Sequence, residues 1–213
     1  GMAHEIRNPL GSIKGTAEIL RDGVAEDDPK LEVADILIKE VDRLNRVLED
    51  FLHFAKPAPV DQGLFSPNKV IVDVMELTRQ QATRNRVDVQ LDLGDDFEVP
   101  GQGEQIKQSL LNLVLNALQV IATGGPLKVS SRVYRDNWEI AVRDNGPGVS
   151  REDRDRIFNP FVTTRESGTG LGLAIVKHII NRHRGRLSAD STLGLGSAFS
   201  VQLPALQISD DEA

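Results

Sequence analysis

MAHEIRNPLGSIKG, residues 2–15, sets a histidine, a glutamate, an asparagine and a proline within the six positions His4–Pro9, at the head of an apolar repeat. Ile6, Leu10, Ile13, Ala17, Leu20 and Val24 recur at spacings of three and four, which predicts a packed helix running to about Val24. The segment AEDDPK breaks it. From Lys30 the repeat resumes with Ala34, Ile38, Val41, Leu48, Leu52 and Ala55, and a second seam runs through Leu37, Val41, Leu44, Leu48 and Phe51. Two seams on one helix imply more than one helical neighbour. A lone antiparallel hairpin buries only one side of each helix, so a second copy is expected to complete the core as a dimeric four-helix bundle.

KPAPVDQGLFSP has no helical period and reads as a linker, so the expected division is a hairpin over 1–56, a linker over 57–67, a second domain over 68–206 and an acidic tail over 207–213. Ser66 followed by Pro67 is an N-cap and first-turn pair that opens a helix to about Arg84. RVDVQLDL alternates as a strand, EVP is a short one, and GEQIKQSLLNLVLNALQVI has helical period and length. LKVSSRVY and WEIAVRD form a hairpin across Arg135, Asp136 and Asn137. A polar, glycine-rich segment covers Asn145 to Gly170, then a helix in LGLAIVKHIINRHR precedes the strands RLSAD and SAFSVQLP. The expected fold class is α+β: the helical hairpin, then an α/β sandwich with helices on one face of a mixed sheet.

Composition narrows the function classes. The 213 residues are 39% hydrophobic, enough for a packed core, and carry a net charge of −7, which gives little attraction to a polyanion. Nucleic acid is not expected as a partner. With no cysteine there are no disulfides or thiolate metal sites, which fits a cytoplasmic location. No apolar run reaches the roughly 18 residues of a spanning helix, so no direct membrane contact is expected from this segment.

Several clusters carry chemistry. Asn112 and Asn116, four apart, share one face of an otherwise apolar helix, either as amides satisfied by neighbouring loops or as oxygen ligands for a hard cation with phosphates. In RDNGPGV, Asp144 closes a strand and is followed by Gly146 and Gly148. A strand-end carboxylate suits an exocyclic amine such as that of adenine, and an Asp-Asn-Gly turn accounts for the same residues. SGTGLGLAIV runs Gly168, Gly170 and Gly172 directly into a helix, whose N-terminal N–H groups suit phosphate. It is neither a Walker A loop nor a dinucleotide fingerprint. Upstream, Phe158 and Phe161 offer apolar anchors for a mobile lid, and Arg165 offers a phosphate contact. Finally, GLGSAF places Gly194, Gly196 and Ser197 at the entry to the last strand.

In this order and combination, Asn112 and Asn116, Asp144 to Gly148, Phe158 and Phe161, and Gly168 to Gly172 resemble the N box, the two glycine boxes and the F box of the GHKL-type ATP-binding domain. Histidine kinases, gyrase, Hsp90 chaperones and MutL share that domain. HEIRNPL resembles the H box of sensor histidine kinases, and the resemblance covers about residues 1–204. It implies a two-component histidine kinase core that uses Mg-ATP to phosphorylate His4 and passes the phosphoryl group to an aspartate of a response regulator. It assigns Glu5 as general base, Asn116 as Mg2+ ligand with Asn112 in support, and Asp144 as acceptor of the adenine amine with Ser197 beside it. Gly146, Gly148, Gly168, Gly170 and Gly172 shape the pocket, and Arg165 meets phosphate. Glu5 and Asn8 also match the ExxN pattern of phosphatase activity toward the partner. Many members carry Lys or Arg where this chain has Gln119, so that phosphate contact is absent or falls to Arg165. His4 lies three residues from the start, which implies that a sensor and part of the first helix precede residue 1.

The residues around His4 fit such chemistry. A lone helical histidine is ordinarily a packed or solvated side chain, but the adjacent Glu5 can accept the imidazole proton and leave a nitrogen lone pair free to attack phosphorus. Pro9 removes the hydrogen bond to the Glu5 carbonyl and lets the helix bend there. The competing expectation is a nucleotide-gated dimerisation module without autokinase activity, and a third is a conformational ATPase of the chaperone kind.

Overall fold

The computed structural model describes residues 2–25, 28–55, 63–121, 124–134, 137–154, 156–163 and 168–205. The chain divides into two compact units, Gly1–Pro57 with Phe161–Leu171, and Ala58–Pro160 with Gly172–Ala213.

In the first unit, α1 (Met2–Asp22) and α2 (Pro29–Ala55) form an antiparallel hairpin. α1 ends two residues before the expected Val24, where Gly23 still bonds Ile19 O at 3.1 Å and then leaves the helix. Asp28 starts α2: its Oδ1 accepts from the Lys30 N–H at 2.8 Å and Pro29 takes the first helical position, where its missing N–H costs nothing. Small residues let the helices approach, with Ala17, Ala34 and Val41 buried, and Lys14 Nζ reaches Asp42 Oδ1 at 2.7 Å. The second seam stays open, Leu37, Leu44 and Phe51 being 42–50% exposed. One hairpin cannot cover it.

The second unit has five paired strands, β2 (Val87–Leu93), β4 (Gly125–Tyr134), β5 (Asn137–Asp144), β6 (Arg186–Thr192) and β7 (Gly196–Pro204), in the order β2-β4-β5-β7-β6. β2 runs parallel to β4 and every other pair is antiparallel, so the sheet is mixed as expected. A short ladder of β1 (Leu64–Phe65) with β3 (Val99–Pro100) stands apart, β1 falling inside the segment read as linker. Residues 56–62 of that segment lie outside the described residues.

Three helices, α3 (Pro67–Arg84), α4 (Gly103–Val120) and α5 (Gly172–Arg182), pack together over the sheet. α3 begins as its sequence predicts: the Ser66 hydroxyl accepts the Lys69 N–H at 3.1 Å ahead of Pro67. β5 buries Trp138, Ile140, Val142 and Asp144, every second residue, and β7 buries Ser197, Phe199, Val201 and Leu203 in step. These sides meet Leu113, Leu118, Ile175 and Ile180 of the helices to make the core. β2 alternates in sequence but is an edge strand, and Val89 and Leu91 stay 37% and 46% exposed beside α3. The core order leaves Asp144, the last residue of β5, buried where its chain turns away.

Candidate active site

The site is built first from strand register. Asp144 on β5 lies opposite Ser197 on β7, and Ser197 lies opposite Ser191 on β6. Directly opposed residues share a face, so one polar row crosses three strands. Asp144 and Ser197 are 5% and 7% exposed. The carboxylate Oδ1 accepts the Gly146 N–H at 2.8 Å. The turn reading of Asp-Asn-Gly is therefore met, and it leaves a buried carboxylate at the sheet end, as the ligand reading requires.

The turn after Asp144 is pressed against its neighbours. A Cβ on Gly146 would lie 2.7 Å from Val120 Cγ2 and 2.9 Å from Asp144 Oδ1, so the turn sits on the end of α4, one helical turn beyond Asn116. Gly148 has φ +72°, and a side chain there would run into the Thr192 carbonyl. Gly194 N–H donates to Pro147 O at 2.7 Å, fastening the β6–β7 turn to the same loop.

Asn112 and Asn116 are half-buried on α4 and both face the start of α5. Asn112 Nδ2 donates to Gly172 O at 3.4 Å, and a Cβ on Gly172 would lie 3.9 Å from Asn116 Nδ2. Amide oxygens suit a hard cation that keeps phosphate and water as its other ligands, so these residues fit Mg2+ held together with a nucleotide. Among the described residues no three His, Asp or Glu side chains converge as a metal cage.

The other expected residues divide. In the first unit Gly170 has φ +68°, and a Cβ there would lie 2.6 Å from the Phe161 carbonyl carbon. Gly168 is half-buried in the same segment. Arg165 lies outside the described residues. Of the two expected lid anchors, Phe158 is held: its ring meets Phe199 edge-on at 6.4 Å, and Lys177 Nζ stands 6.0 Å from its centroid. Phe161 is 63% exposed instead, on a backbone with φ 65°. Positions 4 and 5 lie on α1, whose side chains are described from Ile6 onward, so the readings of His4 and Glu5 fall outside them. Asn8 is exposed, and its carbonyl accepts the Ser12 hydroxyl at 3.2 Å.

Two residues of this region escaped the sequence reading. Ser191 completes the polar row. His183, at the end of α5, ties that helix to the start of α4: Nδ1–H donates to Ile179 O at 2.8 Å, and Nε2 accepts the Gln102 N–H at 3.0 Å. Both bonds specify a neutral ring. Burial pushes the His183 imidazole below its ordinary value; the bond to Ile179 opposes this, and the charge of Arg182 adds to it.

Comparison with known proteins accords with this layout. A family model described as "Histidine kinase-, DNA gyrase B-, and HSP90-like ATPase" matches residues 101–207, and one described as "His Kinase A (phospho-acceptor) domain" matches residues 1–59. Sensor histidine kinase ZraS of Escherichia coli (strain K12) is 36% identical over 205 residues, which cover 96% of this chain and 44% of that protein. Signal transduction histidine-protein kinase AtoS of the same organism is 35% identical over 206 residues, covering 96% and 34%. The chain thus spans less than half the length of these relatives. Among solved structures, full-length ShkA in complex with AMPPNP aligns over 96% of this chain and 44% of its own, with TM-score 0.78 and 26% identity. Histidine kinase ThkA in complex with response regulator protein TrrA aligns over 96% and 60%, with TM-score 0.74 and 27% identity. No helix among the described residues is long and apolar enough to cross a membrane. The chain belongs to the histidine kinase-, DNA gyrase B- and HSP90-like ATPase family and, with a phospho-acceptor domain ahead of the ATPase, is a two-component histidine kinase catalytic core.

Proposed function

We propose that this core uses Mg-ATP to phosphorylate its own His4 and then delivers the phosphoryl group to an aspartate on a response regulator receiver domain. The observation that carries the reading is the presence, in one chain, of a phospho-acceptor domain match over 1–59 and an ATPase match over 101–207. In this reading residues 1–56 are the phosphotransfer hairpin, 57–67 the linker, 68–206 the ATP-binding domain and 207–213 an acidic tail. The open seam of Leu37, Leu44 and Phe51 is covered by a second copy, giving a homodimer.

Within the ATP-binding domain, Asp144 accepts a hydrogen from the adenine amine and Ser197 stands beside it on the next strand. Asn116, supported by Asn112, would supply an amide oxygen to Mg2+, whose charge would offset that of the phosphates. Gly146 and Gly148 admit the nucleotide to the turn, Gly168, Gly170 and Gly172 let the chain follow the phosphates, and Arg165 meets them. Glu5 takes the imidazole proton and the His4 nitrogen attacks the γ-phosphorus. An N–P bond forms as the bond to the β,γ-bridging oxygen breaks, and ADP leaves. Asn8, one turn from His4, orients a water for the reverse task of dephosphorylating the regulator. The core acts in the cytoplasm, where ATP and Mg2+ are supplied. The support from solved structures is that ShkA was seen with AMPPNP and ThkA with a response regulator.

The test is incubation with γ-labelled ATP and Mg2+ beside His4→Gln and Asp144→Asn. The reading expects label that survives base and is lost in acid, that is absent in His4→Gln, and that falls with roughly a 10- to 100-fold loss of ATP affinity in Asp144→Asn, the scale of one charged hydrogen bond. Acid-stable label, or label retained in His4→Gln, would reject it.

A further inference from the structure

A single arrangement of protons makes hydrogen bonds of all three Ser191 contacts in the polar row. Val149 N–H donates to Ser191 Oγ at 2.7 Å. The Gly196 carbonyl can only accept, so a hydrogen bond at that 3.0 Å contact takes the Ser191 proton. Ser191 and Ser197 oxygens lie 2.9 Å apart, and with the Ser191 proton committed, Ser197 must be the donor between them. All of this is enclosed, Ser191 being 3% and Ser197 7% exposed. In this arrangement the Ser197 oxygen keeps its lone pairs and has no proton to offer, directly across the strand pair from the Asp144 carboxylate.

We propose that Ser191 is a positioning residue for base selection: by holding the Ser197 proton, it makes this end of the row present acceptors alone, which favours a base bearing an exocyclic amine over one bearing a carbonyl. The inference rests on the reading of Asp144 and Ser197 as the base site. Ser191 touches no nucleotide in it. When Ser191 is removed, the Ser197 hydroxyl is released to turn toward Asp144 or toward a bound base. There it donates a hydrogen bond to a 6-oxo group that the intact row disfavours. Selectivity, rather than affinity for every nucleotide, is the property that falls.

A competing role for Ser191 is structural, since it also accepts the Val149 N–H of the turn beyond Gly148. The two roles separate in a double-mutant cycle read as a ratio. Affinities for ADP and for inosine diphosphate, which differ in the 6-amino or 6-oxo group and in the hydrogen that N1 carries only in the 6-oxo base, are measured by calorimetry on the whole chain. The variants are Ser191→Ala, Ser197→Ala and the double variant, with folding monitored by the single tryptophan, Trp138. Ser191→Ala is expected to reduce the ADP preference about tenfold, the scale of one hydrogen bond. It should leave the ratio unchanged in the Ser197→Ala background, and Ser191→Thr should restore the wild-type ratio. Should Ser191→Ala fail to fold, Ser191→Cys, near in size and with a weak donor and acceptor, takes its place with a reduction in the same direction. Equal weakening of both nucleotides by Ser191→Ala, or the same change of ratio in both backgrounds, would overturn the proposal and leave the base site standing. A wild-type chain that binds both nucleotides equally would instead overturn the base-site reading, and this inference with it.

Discussion

In the helical hairpin Ala17, Ala34 and Val41 are the buried apolar side chains among the described residues, while Ile13, Leu37, Leu44 and Phe51 remain open. The sheet unit instead encloses Trp138, Leu113, Leu118, Leu127, Ile180 and Leu203 to within 2% of complete burial. One region leaves an apolar seam open and the other is a finished core. The difference teaches how labour is divided in the proposed function: the proposed acceptor His4 rides on the element with the open seam, whereas the proposed base site sits on strands that fix its geometry within one chain.

The largest effect expected from breaking that contrast comes from Leu37→Asp combined with Leu44→Asp, seven residues apart on the open face of α2. Taking two carboxylates into an apolar seam should raise the dimer dissociation constant by at least ~100-fold, read by sedimentation. The unfolding midpoint reported by Trp138 fluorescence should not move. A dimer that survives would mean that the open seam is not its interface. Leu118→Ala sharpens the contrast from the other side. It should cost the sheet unit ~2 to 5 kcal/mol by denaturant unfolding, as for other buried leucines, with the dimer intact.

A smaller loss is expected from Ser66→Ala, which removes the acceptor for the Lys69 N–H and should cost about 1 kcal/mol in the same experiment. Its modest size marks a feature that was legible at once, because a cap is chemistry between residues three apart. Helix α4 and strands β2 and β5 were legible for the same reason: their periods lie within one window. β1 was not, since two residues carry no period and its pairing with Val99–Pro100 is long-range. The partial exposure of Val89 and Leu91 was hidden because alternation says which side chains share a face, and strand order alone decides whether that face is covered.

The site shows the same boundary. Asp144, Gly146 and Gly148 announced themselves through a strand end and a glycine turn. Ser191 did not, because a serine in RLSADST is ordinary strand composition and its role depends on Ser197 standing across the hairpin. Counting back from the Leu193–Leu195 turn was the signal that pairs them. The Phe158 and Phe161 anchors looked alike in sequence, and only contact with Phe199 distinguishes the held ring from the exposed one.

The smallest expected effect is a pH dependence from His183, which links α5 to the first turn of α4. Its folded value is lowered from 6.5, chiefly by burial, so the unfolded chain binds more protons between the folded value and 6.5. The stabilisation is complete above 6.5 and is lost as the pH falls through the folded value, where protonation takes the lone pair that accepts the Gln102 N–H. Thermal unfolding of the sheet unit should show this acid-side loss, and His183→Gln should flatten it. A wild-type midpoint that rises on acidification through that window would contradict the assignment.

The most direct test of the central claim is to locate the phosphoryl group. The chain is incubated with Mg-ATP, digested at alkaline pH to preserve a phosphoramidate, and its peptides are sequenced by mass spectrometry. The account predicts one phosphoryl group, on the peptide carrying HEIRNPL and on the imidazole of His4, and none in a sample prepared from Asp144→Asn at an ATP concentration where that variant is unliganded. A phosphoryl group confined to any other residue would contradict the account.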